Sequence, residues 1–135
     1  MDSLLSAIIT KTAGSAFSAD VGGRIYLDHA PDLAEFPYCV FFIVSDVPMD
    51  TFTDSLDDVL IQFSLYSASS GAAEVAGMYN DLRSLFDNCI LSITGGNFVS
   101  MRRQNLQTMV EEVITQAGTQ MVKHWAVDYQ IIASI

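Results

Sequence analysis

The chain has 135 residues, half of them hydrophobic, and a formal net charge of −10. That length suits one domain with a real core, and that hydrophobic share excludes a disordered chain. No apolar run reaches the ~20 residues of a membrane-spanning helix. Between Arg24 and Arg83 there is no Lys or Arg, which excludes a phosphate-gripping surface on that half of the chain.

Met1-Asp2-Ser3-Leu4-Leu5 lacks the basic residues that begin a secretory leader, so the chain reads as intracellular. From Asp2 to about Ala13 the spacing predicts a helix: Leu4, Leu5, Ile8 and Ile9 share one face, and Asp2 or Ser3 can cap its start. Gly14 ends it, and a Ser/Ala-rich stretch leads to Gly22-Gly23. Arg24 to Asp28 reads as a short strand. A loop holding Pro31 follows, and Pro37 stands where a strand's first residue tolerates a missing N–H. Tyr38 to Val44 is then apolar on both faces, with Tyr38, Val40, Phe42 and Val44 on one and Cys39, Phe41 and Ile43 on the other. Such a strand needs cover on both sides. Helices supply one side; loops, the N-terminal helix or a neighbouring subunit supply the other.

Val47 to Ser55, with Pro48 near its start, reads as a connection. Asp57 to Ser67 alternates with period two, placing Val59, Ile61, Phe63 and Leu65 on one face. Ser69-Ser70-Gly71 starts a helix to about Asn88, whose Val75, Met78, Tyr79, Leu82, Leu85 and Phe86 form an apolar stripe. Thr94-Gly95-Gly96-Asn97 is a turn feeding a strand from Phe98. Leu106 to Thr115 fits a helical period, yet it is rich in β-branched residues and has no cap, so it is read as part of a long β-ribbon turning near 116–119. Met121 to Ile132 is a strand with Trp125, Val127, Tyr129 and Ile131 on one face and His124, Ala126, Asp128 and Gln130 on the other. The whole is α+β in one domain, 1–135: a mostly antiparallel sheet, an N-terminal and a central helix packed on one face, and a long C-terminal β-hairpin.

No arrangement for catalysis or cofactor binding stands out. Gly-x-Ser-x-Gly is absent, and the serines have no neighbouring His. Cys39, Cys89, His29 and His124 lack the close-paired spacing of zinc sites. Asp50, Asp54, Asp57 and Asp58 are not spaced as a calcium-binding loop. Gly95-Gly96 is followed by no Lys-Ser/Thr. We expect no catalytic residue, cofactor or metal. The isolated cysteines are expected to be reduced thiols. The acid excess first serves solubility; a surface that meets a basic partner, or past which DNA slides, is the functional alternative.

In order and residues the chain resembles the tail-completion, or tail-terminator, proteins of long-tailed bacteriophages. The resemblance is carried by the Leu-rich N-terminal helix, Gly23-Arg24-Ile25-Tyr26, the Pro31 loop and the Pro37-Tyr38 strand start. Leu65-Tyr66-Ser67, the helix with Leu82 and Leu85, and the closing His124-Trp125-Ala126-Val127-Asp128-Tyr129 continue it. It covers nearly the whole chain through short motifs in the right order; Asn105 to Gln120 departs from it by being longer and less charged. The resemblance implies a structural virion protein and no enzyme. Such proteins form a ring, usually of six copies, that closes the tail tube and joins it to the head connector, with DNA later passing through without sequence-specific binding and no membrane involved. The partners implied are further copies, the tail tube protein and the connector protein, in the virion tail and, during assembly, the host cytoplasm.

The candidate interface residues are Asp46, Asp50, Asp54, Asp57 and Asp58, for contact with tail or connector proteins, and Arg102 and Arg103. As neighbours on a strand the two arginines point to opposite faces. One reading has one solvated and the other paired with a carboxylate. The sharper reading puts one at a subunit boundary or the tube lumen, meeting a neighbour's acidic segment. The apolar second face of the sheet is a further candidate for subunit contact, and the apolar end Ile131 to Ile135 suggests a strand held by the core or by a partner. The alternatives are another head–tail neck ring protein, or a small-ligand-binding α+β domain with a pocket between helices and sheet. Bulky Phe41, Phe63, Met78 and Trp125 argue for a filled layer instead.

Overall fold

The computed structural model describes residues 1–50, 52–53, 55–115 and 118–135. Helix α1 spans Asp2–Thr12, α2 Ala16–Asp20 and α3 Ala73–Phe86. The strands are β1 Ile25–Leu27, β2 Tyr38–Asp50, β3 Ser55–Ser67, β4 Asn97–Thr115 and β5 Gly118–Ser134. They form one five-stranded sheet in the order β1-β2-β3-β5-β4. Neighbours are antiparallel except β1 and β2. The expected α+β class, the two expected helices and the long C-terminal hairpin are all present.

All three helices bury their apolar residues on one face. Leu4 and Ile8 of α1, Phe17 of α2 and Val75, Met78, Leu82 and Phe86 of α3 join a single cluster with alternate residues of β2, β3 and β5. Phe63 lies at its centre, stacked on Phe41 and Phe86 (5.9 and 4.9 Å between ring centres) and edge-on to Tyr129 (5.8 Å). Phe41, Phe63 and Met78 are at most 1% exposed, so the helix–sheet layer is filled.

Three local expectations differ from the structure. Met1, not Asp2 or Ser3, occupies the cap position of α1; Asp2 lies in the first turn, where a carboxylate meets the positive helix end. The Ser/Ala-rich stretch contains the five-residue helix α2, started by Ser15, whose hydroxyl accepts from the Ser18 N–H at 3.1 Å. Val47 to Ser55 is not a connection. β2 runs through Pro48 to Asp50 and pairs with β3 as far as Asp50–Ser55. A proline survives there because β1 covers only Cys39–Phe41, leaving the rest of β2 an edge strand.

The helix pair α2/α3 holds a pH-sensitive contact. Asp20 hydrogen-bonds the Asp81 carboxyl, and partial burial, reinforced by Asp81, pushes its pKa up from 3.8 to about 6. The folded chain therefore holds an extra proton between those values, and stability falls as pH rises through that window. Asp20→Asn is expected to raise the melting temperature above pH 6, with the two proteins converging near ~pH 4, below which the wild-type carboxyl is neutral in both states. Thermal melts across that range test this; an unchanged melting temperature at pH 7.5 contradicts it.

Candidate assembly interface

The acidic segment is the end of a stiff hairpin. Val59 belongs to the core and pairs with Asp46, so strand alternation sets Asp46, Pro48 and Asp50 on the helix side of β2, beside Asp57 and Ser55 of β3. Asp46 hydrogen-bonds Asp57, and burial, then Asp57's charge, raises its pKa. Ser55 donates to Asp50 at 3.2 Å. Asp58 faces the other way and accepts from Gln130 Nε2, 3.0 Å from both its oxygens. Asp54 lies outside the described residues. The same end exposes Val47, Met49 and Phe52, Phe52 completely.

Cations gather across the sheet, beside β4. Arg103 turns towards α3, donating to the Tyr79 hydroxyl and pairing with Asp87 at 3.3 Å. Arg83 lies 3.7 Å from the same carboxylate. Both guanidiniums sit over the Tyr79 ring, 5.4 Å (Arg83) and 5.7 Å (Arg103) from its centre. Tyr129 donates to Asp87 at 2.6 Å, and burial, then that carboxylate, pushes the phenol's pKa up. One carboxylate thus serves two guanidiniums. Arg102 is exposed and shares a recess with Cys89. Burial raises the Cys89 thiol's pKa against the pull of Lys11, which places Lys11 in the same neighbourhood. Cys39 and Cys89 are both free thiols.

The second face of the sheet is not an uncovered apolar ribbon. Val40 is 7% exposed in the single chain; Tyr38 and Phe42 are half-buried, and Val44 is exposed. Residues of the Asp28–Phe36 loop, with Val113 and Ile114, line a recess of ≈ 400 Å³ with Tyr38, Val40 and Tyr66. Further across, Gln62 donates to Asp128 at 2.9 Å, a polar rung where β2 alone reads as oil. Of the covers open to Tyr38 to Val44 on this side, the loop and the C-terminal hairpin supply much within the single chain.

An aromatic row ties that hairpin down. Phe36 stacks on Tyr38, Tyr38 on Tyr66 and Tyr66 on His124, at 5.1, 4.9 and 4.3 Å. His124 Nδ1 lies 3.0 Å from a Glu111 oxygen. Burial, then Glu111, pushes Tyr66 up to about 12. His124 is on the expected face, and it is buried. Beyond the last β3–β5 pair, Ser67–Lys123, β4 and β5 continue as a two-stranded arm. Its turn lies outside the described residues at 116–117. Val110, Ile114 and Met121 are exposed on the arm by 61, 77 and 62%. Sequence reading missed these residues and Phe52. Their signal was the apolar positions left near the hairpin ends once the pairing register is known.

A family model described as Tail completion protein gp17 matches residues 3–134. A search of curated proteins returns no match. Among solved structures, a chain from the virion of a native gene transfer agent particle superposes with a TM-score of 0.70 at 13% identity, covering 96% of this chain and 93% of that one. At that identity the likeness is one of fold.

Proposed function

The chain belongs to the tail completion protein gp17 family, and from that membership we propose that it closes the end of a phage tail tube as a ring, with six copies expected, and joins the tube to the head connector. It is a structural component of a phage-like virion, placed in the tail. Its work is association and docking, with no reaction catalysed. DNA passes through the ring, and an acid-rich chain favours passage over adhesion. The observation that carries the reading is the extent of the family match: it runs from residue 3, one residue into α1, to residue 134, and takes in the rest of α1, the other described helices and both hairpins.

The arrangement of exposed groups supports a joining role. The two hairpins point to opposite ends of the sheet, and each end carries apolar side chains in water: Val47, Met49 and Phe52 at one, Val110, Ile114 and Met121 at the other. A ring that bridges two partners needs two such ends. Negative-stain images of tail tubes mixed with the purified protein test the reading. Rings seated on tube ends support it; naked tube ends with the protein seated only on connectors overturn it.

The ends make a second, separable prediction. Phe52→Ser and Ile114→Ser are expected to fold as the wild type does, because exposed substitutions usually change stability by less than about 0.5 kcal/mol. Each is expected to reduce the joining of heads to tails, through failure of a different joint. In vitro complementation with purified heads and tubes reads both. Full joining by both variants would remove the ends from the account.

A further inference from the structure

We propose that the far half of β4, Leu106–Ile114, receives an added strand from a different protein, an extended segment with a basic residue between two apolar ones at alternate positions; this rests on the joining role above and names the chemistry of one joint. β4 is the last strand of the sheet, so its outer backbone groups meet no strand among the described residues. Its pairing with β5 is irregular between Phe98 and Ser100 and between Arg103 and Asn105, then unbroken from Leu106 to Thr115. Bulges, prolines and lysines are the usual protection of an exposed edge. The first half of β4 has its two irregularities, and β2 has one between Ile43 and Ser45 together with Pro48. Leu106–Ile114 has no irregularity, Pro, Lys or Arg.

The same stretch is short of neighbours. Beyond the Ser67–Lys123 pair no strand lies on the β3 side of β5. The end of β4 and its partners in β5 therefore form a two-stranded ribbon, which is marginal without further support. One side of the ribbon is held. Glu111 Oε1 lies 3.0 Å from His124 Nδ1, and Val113 lines the recess under the Asp28–Phe36 loop. The other side is in water: Val110, Glu112 and Ile114, with Met121 opposite Glu112. A third strand beside β4 completes the ribbon as a sheet. On its other side β5 offers only Gly118–Val122, so β4 is the longer edge.

Charge selects the occupant. Glu112 is exposed and has no ion-pair partner among the described residues. Lys123, its diagonal neighbour across the pair, donates instead to the Ser69 and Ser70 carbonyls at 2.7 and 3.2 Å. A cation on an incoming strand finds Glu112 unpaired, with Val110 and Ile114 to either side on the same face. Opposite charges facing each other across strands stabilise, and like charges destabilise. A second copy of this chain is the wrong occupant. Its open edges bring Asp46 and Asp50 on β2, or Glu111 and Glu112 on β4, and its Arg102 and Arg103 stand where β4 is irregular. The glutamates thus repel self-pairing and admit a basic strand. Main-chain hydrogen bonds hold such a strand, and its alternating side chains choose it.

The test uses the full chain and two capped seven-residue peptides. The basic one is threonine throughout except for valine at its second and sixth positions and lysine at its fourth; the acidic one has glutamate in place of that lysine. Amide exchange is read by NMR. In Leu106–Ile114 the alternate N–H groups that point away from β5 are expected to exchange fast in the free chain. Excess basic peptide is expected to slow them by about fivefold or more as each gains a hydrogen bond. The acidic peptide is expected to bind about threefold or more weakly, and Glu112→Lys, checked for folding by circular dichroism, to reverse that preference. No slowing with the basic peptide, equal slowing with both, or slowing at Phe42–Asp50 instead overturns the added strand. Should that happen while rings seat on tube ends, the joining role stands; naked tube ends overturn that role and the proposal with it.

Discussion

Phe63→Ala is expected to remove about 3–5 kcal/mol of folding stability, the range for emptying a buried aromatic site. The ring is inaccessible to solvent and touches three others, Phe41, Phe86 and Tyr129, from strand, helix and strand. Truncation loses the transfer energy of the ring and leaves a cavity that three large, mutually packed side chains cannot easily fill. It also frees Tyr129, whose hydroxyl holds Asp87 and, through it, Arg103. Against a typical total of ~5–15 kcal/mol, the loss is about a fifth or more of what keeps the chain folded. Urea denaturation of the purified protein measures it. Phe63→Leu keeps most of the volume and is expected to cost less than half as much. A cost below about 1 kcal/mol for Phe63→Ala would mean that the helix layer collapses into the gap, and that Phe63 is not the keystone of the core.

Much of this core was legible because the relevant signals are local. The alternation of Val59, Ile61, Phe63 and Leu65 needs only β3 itself, and all four are inaccessible in the fold. The apolar stripe of α3 needs only a period of 3.6. The long ribbon was legible through its β-branched residues, despite a competing helical spacing. The extent of β2 was not, because Pro48 stops a strand only when its nitrogen must meet a partner. Whether it must depends on β1 covering three residues rather than ten, which nothing near Pro48 records.

The interface was legible as chemistry and not as geometry. Asp46 and Arg102 stand out in the sequence as part of an acid-rich run and a pair of adjacent arginines. That they lie at opposite edges and on opposite faces of the sheet follows from three strand registers together. The second face misled for the same reason. Read alone, Tyr38 to Val44 is apolar on both sides, but its neighbours on that face are Ser64 and Gln62, and the Asp28–Phe36 loop folds back on it. A strand's need for cover is set by the strands beside it as well as by its own side chains.

Gly96→Ala is expected to be the most damaging single-methyl change in the chain, costing about 1–3 kcal/mol by overpacking. A Cβ at Gly96 falls inside the contact distance of the Ser134 carbonyl oxygen and comes within 3.1 Å of Ile93 Cγ2. The obstacle is backbone rather than the end of a flexible side chain, so relief requires moving β4 away from β5. The pairs at risk are Asn97–Ser134 and Phe98–Ala133, and Ala133 is fully buried. Gly95→Ala supplies the contrast. Gly95 has φ +75° with nothing near its missing Cβ, so alanine there meets local strain of about 1–2 kcal/mol and no clash. Hydrogen exchange separates the two mechanisms: Gly96→Ala is expected to speed exchange at Phe98 and Ala133, whereas Gly95→Ala leaves those amides protected. Normal exchange at Phe98 in Gly96→Ala would mean that Ser134 yields freely, and that the end of β5 is not fixed by this contact.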